Sequence, residues 1–100
     1  MIVVSGFLSF DPANTEAFHQ ALEELVPTTR AEDGCVSYGF YADPAEPGTY
    51  RIFEEWASQA AMDAHMGTAH LAEFMGAMGA YGVTATELYT YEVSEKSRLM

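Results

Sequence analysis

Glu54, Trp56, His65 and His70 are the side chains best suited to chemistry in this sequence, and all fall within residues 53–74, FEEWASQAAMDAHMGTAHLAEF. A carboxyl, an indole N–H and an imidazole aimed at one cavity can remove a proton and stabilise an oxyanion. Strand alternation puts Tyr50, Ile52, Glu54 and Trp56 on one face and Arg51, Phe53 and Glu55 on the other. A carboxylate between apolar neighbours is one whose pKa burial raises. Pairing with Arg51 or Arg30, or escape to solvent, is the competing reading for Glu54. Trp56 is read as a pocket wall whose N–H is available to a bound oxygen atom. His65 and His70 are separated by about 140° around a continuous helix, and Gly67 lies between them. That is not the spacing of a helical metal-binding pair, so no metal is expected. His19, on the polar side of an earlier helix, is expected to be a surface or capping residue.

These residues need elements to hold them. Ile2 to Phe10 alternates as a first strand, and Asp11-Pro12 ends it. Asn14 or Thr15 caps a helix whose stripe is Phe18, Leu22, Leu25 and Val26, with a kink or restart expected at Pro27. Glu32-Asp33-Gly34 reads as a stop. Cys35 to Ala42 and Thr49 to Ala57 form a hairpin around the turn DPAEPG. Ser58 caps a short helix that Gly67 interrupts, and a further helix carries Leu71, Phe74, Met75 and Met78. Thr84 to Val93 alternates as a last strand. The order is β-α-β-β-α-β with a split second helix, an α+β ferredoxin-like domain over residues 1–94 with a tail at 95–100. Two helices cover one sheet face, so the other is expected to pack against a second copy.

Composition narrows the partners. The chain has 100 residues, fifteen Asp and Glu against four Lys and Arg, and a net charge of −11. Such a surface repels phosphate backbones and anionic lipid, so neither nucleic acid nor membrane is an expected partner. No apolar run is long enough to span a bilayer, and MIVVSGFLSF reads as a strand rather than a leader, so the cytoplasm is the expected compartment. Cys35, the one cysteine, sits among acidic and apolar residues and reads as a small buried side chain.

The stretches LVPTTRAEDGCVSYGFYAD, 25–43, and EEWASQAAMDAHMGTAHLAEF, 54–74, resemble the antibiotic biosynthesis monooxygenases, especially the small bacterial quinol monooxygenases. The shared patterns are V-P-x-x-x-x-E-x-G-C-x-x-Y and E-x-W-x-S-x-x-A-x-x-x-H-x-x-x-x-H. The resemblance covers about residues 2 to 93. It implies a dimeric α+β barrel that oxidises a hydroquinone or polyphenol with O2 and needs no cofactor. On that basis His65, Trp56 and Glu54 are the expected catalytic residues. Ser5, Phe7, Tyr38, Ile52, Met62, His70 and Phe74 are the expected substrate contacts, with His70 at the rim. The chain departs from haem-degrading relatives, with His65 in place of their Trp and Met75 in place of their haem-ligating His. It also has Ile52 where some aromatic-polyketide enzymes have Asn. An isomerase of the autoinducer-processing type, needing a cationic pocket with Arg30 or Arg51, and a non-catalytic binding or assembly module are the alternatives on this fold.

Overall fold

The computed structural model spans residues 1–100. Its elements are β1 (Ile2–Ser9), α1 (Thr15–Arg30), β2 (Cys35–Ala42), β3 (Thr49–Trp56), α2 (Gln59–Met66), α3 (Ala69–Gly76) and β4 (Ala85–Glu92). The four strands form one antiparallel sheet in the order β2-β3-β1-β4, with the helices against one face. This is the expected ferredoxin-like arrangement with its second helix split.

Alternation decides which side chains meet the helices. Along β1, Ile2, Val4, Gly6 and Leu8 are buried while Val3, Ser5, Phe7 and Ser9 are half-buried. On β3 the buried set is Tyr50, Ile52, Glu54 and Trp56. Phe10, Phe18, Leu25 and Phe74 complete the core, with Phe10 and Phe18 stacked at 4.3 Å. The opposite sheet face carries Tyr41, Phe53, Tyr89 and Tyr91, all exposed.

Several local expectations are modified. α1 continues through Pro27 to Arg30 rather than restarting. Its last turn is held by Thr28 Oγ1 donating to the Glu24 carbonyl and by Ala31 N–H donating to Pro27. Asn14 begins α1 without a side-chain cap, because its amide donates to the Tyr81 carbonyl at 2.8 Å. Ser58 does cap α2, accepting from Ala61 N–H at 3.1 Å. In the tail, Lys96 Nζ reaches back to Glu55 at 3.2 Å. No helix is long and apolar enough to cross a membrane.

Candidate active site

The sheet builds one wall of a cavity. Register sets Tyr38 beside Glu54, and lines up Phe40, Ile52, Gly6 and Leu88 across the four strands. Gly6 cannot carry a side chain: an added Cβ would lie 1.9 Å from the Glu87 carbonyl oxygen of the adjoining strand. A residue without a side chain in the middle of that row leaves a hollow under the helices. The hollow measures about 340 Å³ and is lined from the sheet by Leu8, Tyr38, Phe40, Ile52, Glu54, Thr86 and Leu88. His65, Met66, Leu71, Phe74, Met75 and Met78 line it from the helix side, where Met66 and Met75 are also exposed to solvent.

His65 is the polar group that α2 contributes. Only 2% of it is exposed, and its ring stacks on Trp56 at 4.7 Å with planes 29° apart. Tyr38 meets it edge-on at 5.4 Å. Its Nδ1 lies 2.8 Å from Glu32 Oε2, and the same oxygen lies 2.7 Å from His70 Nε2. An ionised carboxylate only accepts, so both ring nitrogens carry the protons they present to it. In neutral His65 the proton is then on Nδ1, leaving Nε2 with its lone pair and no protein partner. Glu32 thus does for His65 what the acid of a hydrolytic triad does for its histidine: it fixes ring orientation and tautomer.

Gly34 positions that carboxylate. It adopts φ 81°, a left-handed conformation that favours glycine. A Cβ there would come within 2.5 Å of the Ala61 methyl on α2. The turn from α1 to β2 is therefore pressed onto α2 and carries Glu32 to His65.

The two remaining site groups are coupled. Trp56 is fully buried, and its Nε1–H donates to Glu54 Oε1 at 2.9 Å. The indole N–H expected for a bound oxygen atom is therefore already engaged, and Trp56 backs the pocket through Glu54. Glu54 pairs with neither arginine: Arg30 Nε donates to the Tyr38 carbonyl, and Arg51 lies on the other sheet face. Burial raises the Glu54 pKa, opposed in part by the indole N–H and by His65, while Glu32 adds to the rise. Burial, reinforced by the Glu54 charge, also raises the Tyr38 pKa, so its phenol stays neutral.

Of the expected substrate contacts, Tyr38, Ile52 and Phe74 border the cavity. Ser5 and Phe7 do not. They belong to the odd-numbered set of β1 and project to the far face, where Phe7 borders a shallow groove with Tyr41 and Arg51. Met62 packs against the core instead. His70 borders a separate cleft of about 390 Å³ between α1 and α3, beside Gln20, Glu24 and Glu73. His19 is exposed, as expected, and its Nε2 is bonded to the Tyr50 hydroxyl. Glu32 was missed from the sequence, where the Glu-Asp-Gly run reads as a helix stop. Its one signal was a fixed letter in the first family pattern.

The histidine spacing also misled. The break at Gly67 lets two residues on separate helices converge on one acid. Glu32, His65 and His70 each offer a ligand atom, all within 4.8 Å of one another.

The family model for antibiotic biosynthesis monooxygenases matches residues 1–77, and with them every residue of the site except Met78, Thr86 and Leu88. The chain belongs to this family. Among its relatives, "Putative monooxygenase Rv0793" of Mycobacterium tuberculosis is 35% identical over 77 residues, 77% of this chain and 74% of that protein. "Putative monooxygenase YcnE" of Bacillus subtilis is 33% identical over 75 residues, 75% of this chain and 79% of the other. The crystal structure of an antibiotic biosynthesis monooxygenase family protein from Deinococcus radiodurans superposes with a TM-score of 0.92 at 29% identity, covering 100% of this chain and 99% of that one. The fold is thus shared, over the whole chain, with that solved structure.

Proposed function

We propose that this chain is a monooxygenase that oxidises a small hydroquinone or polyphenol with O2, the substrate supplying all the electrons. The observation that carries the reading is the buried His65, oriented through Nδ1 by Glu32 and bordering an apolar cavity. About 340 Å³ is at the small end of the range for ligand pockets and suits one or two aromatic rings.

His65 Nε2 removes a hydroxyl proton, giving a phenolate beside an imidazolium that Glu32 stabilises. Such a counter-charge is needed because the pocket disfavours a lone anion, as the raised Tyr38 pKa illustrates. The electron-rich ring then reduces O2. One oxygen atom enters the ring and the other leaves as water, so a dihydroxybenzene plus O2 becomes a hydroxyquinone plus H2O. The four electrons O2 takes up come from the ring. Glu54, biased toward its neutral form, supplies a proton or hydrogen bond to the reduced oxygen. The lining is mainly apolar, which favours an aromatic ring over water beside His65.

The alternatives have less support. Neither arginine lines the cavity, whereas an isomerase acting on a phosphorylated ligand calls for a cationic pocket. A non-catalytic assembly module has no use for an open hollow beside an oriented histidine, and a non-catalytic binding module differs from the proposal in showing no oxygen uptake. The reading also has two copies meeting through the exposed aromatic face of the sheet.

Oxygen uptake with a panel of reduced quinones, in metal-free buffer, tests the proposal. His65→Gln is expected to lower turnover by roughly 10²- to 10⁴-fold. Absence of uptake across the panel, or full activity in the variant, sinks it.

A further inference from the structure

We propose that Glu32, His65 and His70 form a binding site for a divalent transition-metal ion, of which Zn2+ is the reference case, and that occupancy switches off the base. Two histidines and one carboxylate are a donor set that Zn2+ takes in proteins, and imidazole also suits its late first-row neighbours. The three donors come from three separate segments: the α1–β2 turn, α2 and α3. His65 Nδ1 and His70 Nε2 already sit 2.8 and 2.7 Å from Glu32 Oε2, and the whole set lies within 4.8 Å.

A tetrahedral site with bonds near 2 Å needs donors about 3.3 Å apart. The two short contacts must therefore open slightly and the third edge must close. His70 and Glu32 can make that adjustment, since their side chains are 24% and 15% exposed. His65, packed between Trp56 and Tyr38, stays fixed. The cleft beside His70 gives the ion an entry path that does not cross the apolar cavity, and Glu24 and Glu73 line it.

The switch follows from tautomers. With no metal, Glu32 accepts the Nδ1 proton of His65, and Nε2 presents a lone pair. A metal ion takes the Nδ1 lone pair instead, so the ring proton resides on Nε2, while His70 coordinates through Nε2 with its proton on Nδ1. His65 then presents an N–H to the cavity where deprotonation of a phenol needs an acceptor. This consequence rests on the proposed role of His65; the binding itself does not.

Chelator-treated protein titrated with Zn2+ by calorimetry, and with Co2+ by absorption, tests the site. One ion per chain is expected, with Glu32→Gln and His70→Gln each weakening binding by roughly tenfold or more and His19→Gln leaving it unchanged. Bound Co2+ should broaden the ring protons of His65 and His70 and spare those of His19, a readout from the unmodified protein that does not depend on the variants folding. No stoichiometric binding, or equal affinity in all three variants, overturns the site. Zn2+ at saturation should suppress oxygen uptake, with restoration by chelator. Binding without suppression overturns the switch alone, and binding by a protein that shows no uptake leaves the site standing while the monooxygenase reading falls.

Discussion

Glu54 and Glu55 are neighbours in the chain and opposites in the fold. Glu54 points to the helices among Ile52, Trp56 and Tyr38, and burial raises its pKa. Glu55 points to the open face, where the Ser37 hydroxyl donates at 2.8 Å and Lys96 lies at 3.2 Å, and its pKa is lowered. One step along a strand therefore separates a carboxyl biased toward accepting a proton from one biased toward losing it. The backbone supplies the alternation. The helix layer on one side turns it into a chemical difference.

Trp56 tests that contrast most severely. It is fully buried, stacks on His65 and donates to Glu54. Trp56→Ala should cost about 3–5 kcal/mol, as large core aromatics do, and should also expose Glu54. Phe53, next but two along the chain and on the open face, is 37% exposed, and Phe53→Ala should cost about 1 kcal/mol at low protein concentration. Urea unfolding followed by circular dichroism compares them. Equal losses would mean that the open face is as tightly packed in one protomer as the helix face.

The sequence disclosed the strands, the split helix and the pairing of Glu54 with Trp56 on one face, because periods of 2 and 3.6 are local properties. It did not disclose which face the helices cover. That choice alone removed Ser5 and Phe7 from the cavity, since odd and even residues of β1 go to opposite sides. Glu32's role was not legible for a different reason, although its letter is fixed in the first family pattern: the role depends on Gly34 letting a turn press against α2, a contact between segments about 27 residues apart by the Ala61 and Gly34 numbering. The meeting of His65 and His70 was likewise invisible, because a helical wheel assumes the continuous helix that Gly67 denies.

Glu54→Gln is the intermediate case and should stabilise the protein at neutral pH. A carboxyl whose pKa is raised on folding contributes fully below its unfolded value, about 4.3, and loses that contribution as pH rises through the folded value. Gln retains an acceptor for the indole N–H and cannot ionise. The variant should therefore be more stable than wild type at pH 7, and the gain should vanish below about pH 4. Thermal unfolding at both pH values measures it. A gain that does not vary with pH would place its origin in packing rather than in the buried charge.

Glu55→Gln should have the smallest effect and the opposite sign. A carboxyl whose pKa is lowered on folding stabilises above its unfolded pKa, and that stabilisation disappears as pH falls through the folded value. The Ser37 hydroxyl is the main cause of the lowering, with Lys96 adding to it. Lys96 is exposed, and screening by solvent limits such a pair to a few tenths of a kcal/mol. Glu55→Gln should therefore lose a few tenths of a kcal/mol at pH 7, nothing at pH 3, and less at 1 M salt than at 0.1 M. A salt-insensitive loss would assign the contribution to the Ser37 hydrogen bond alone. Whichever cause holds, this variant and Glu54→Gln must change stability in opposite directions at neutral pH, because the same substitution removes a charge the open face favours and one the covered face does not.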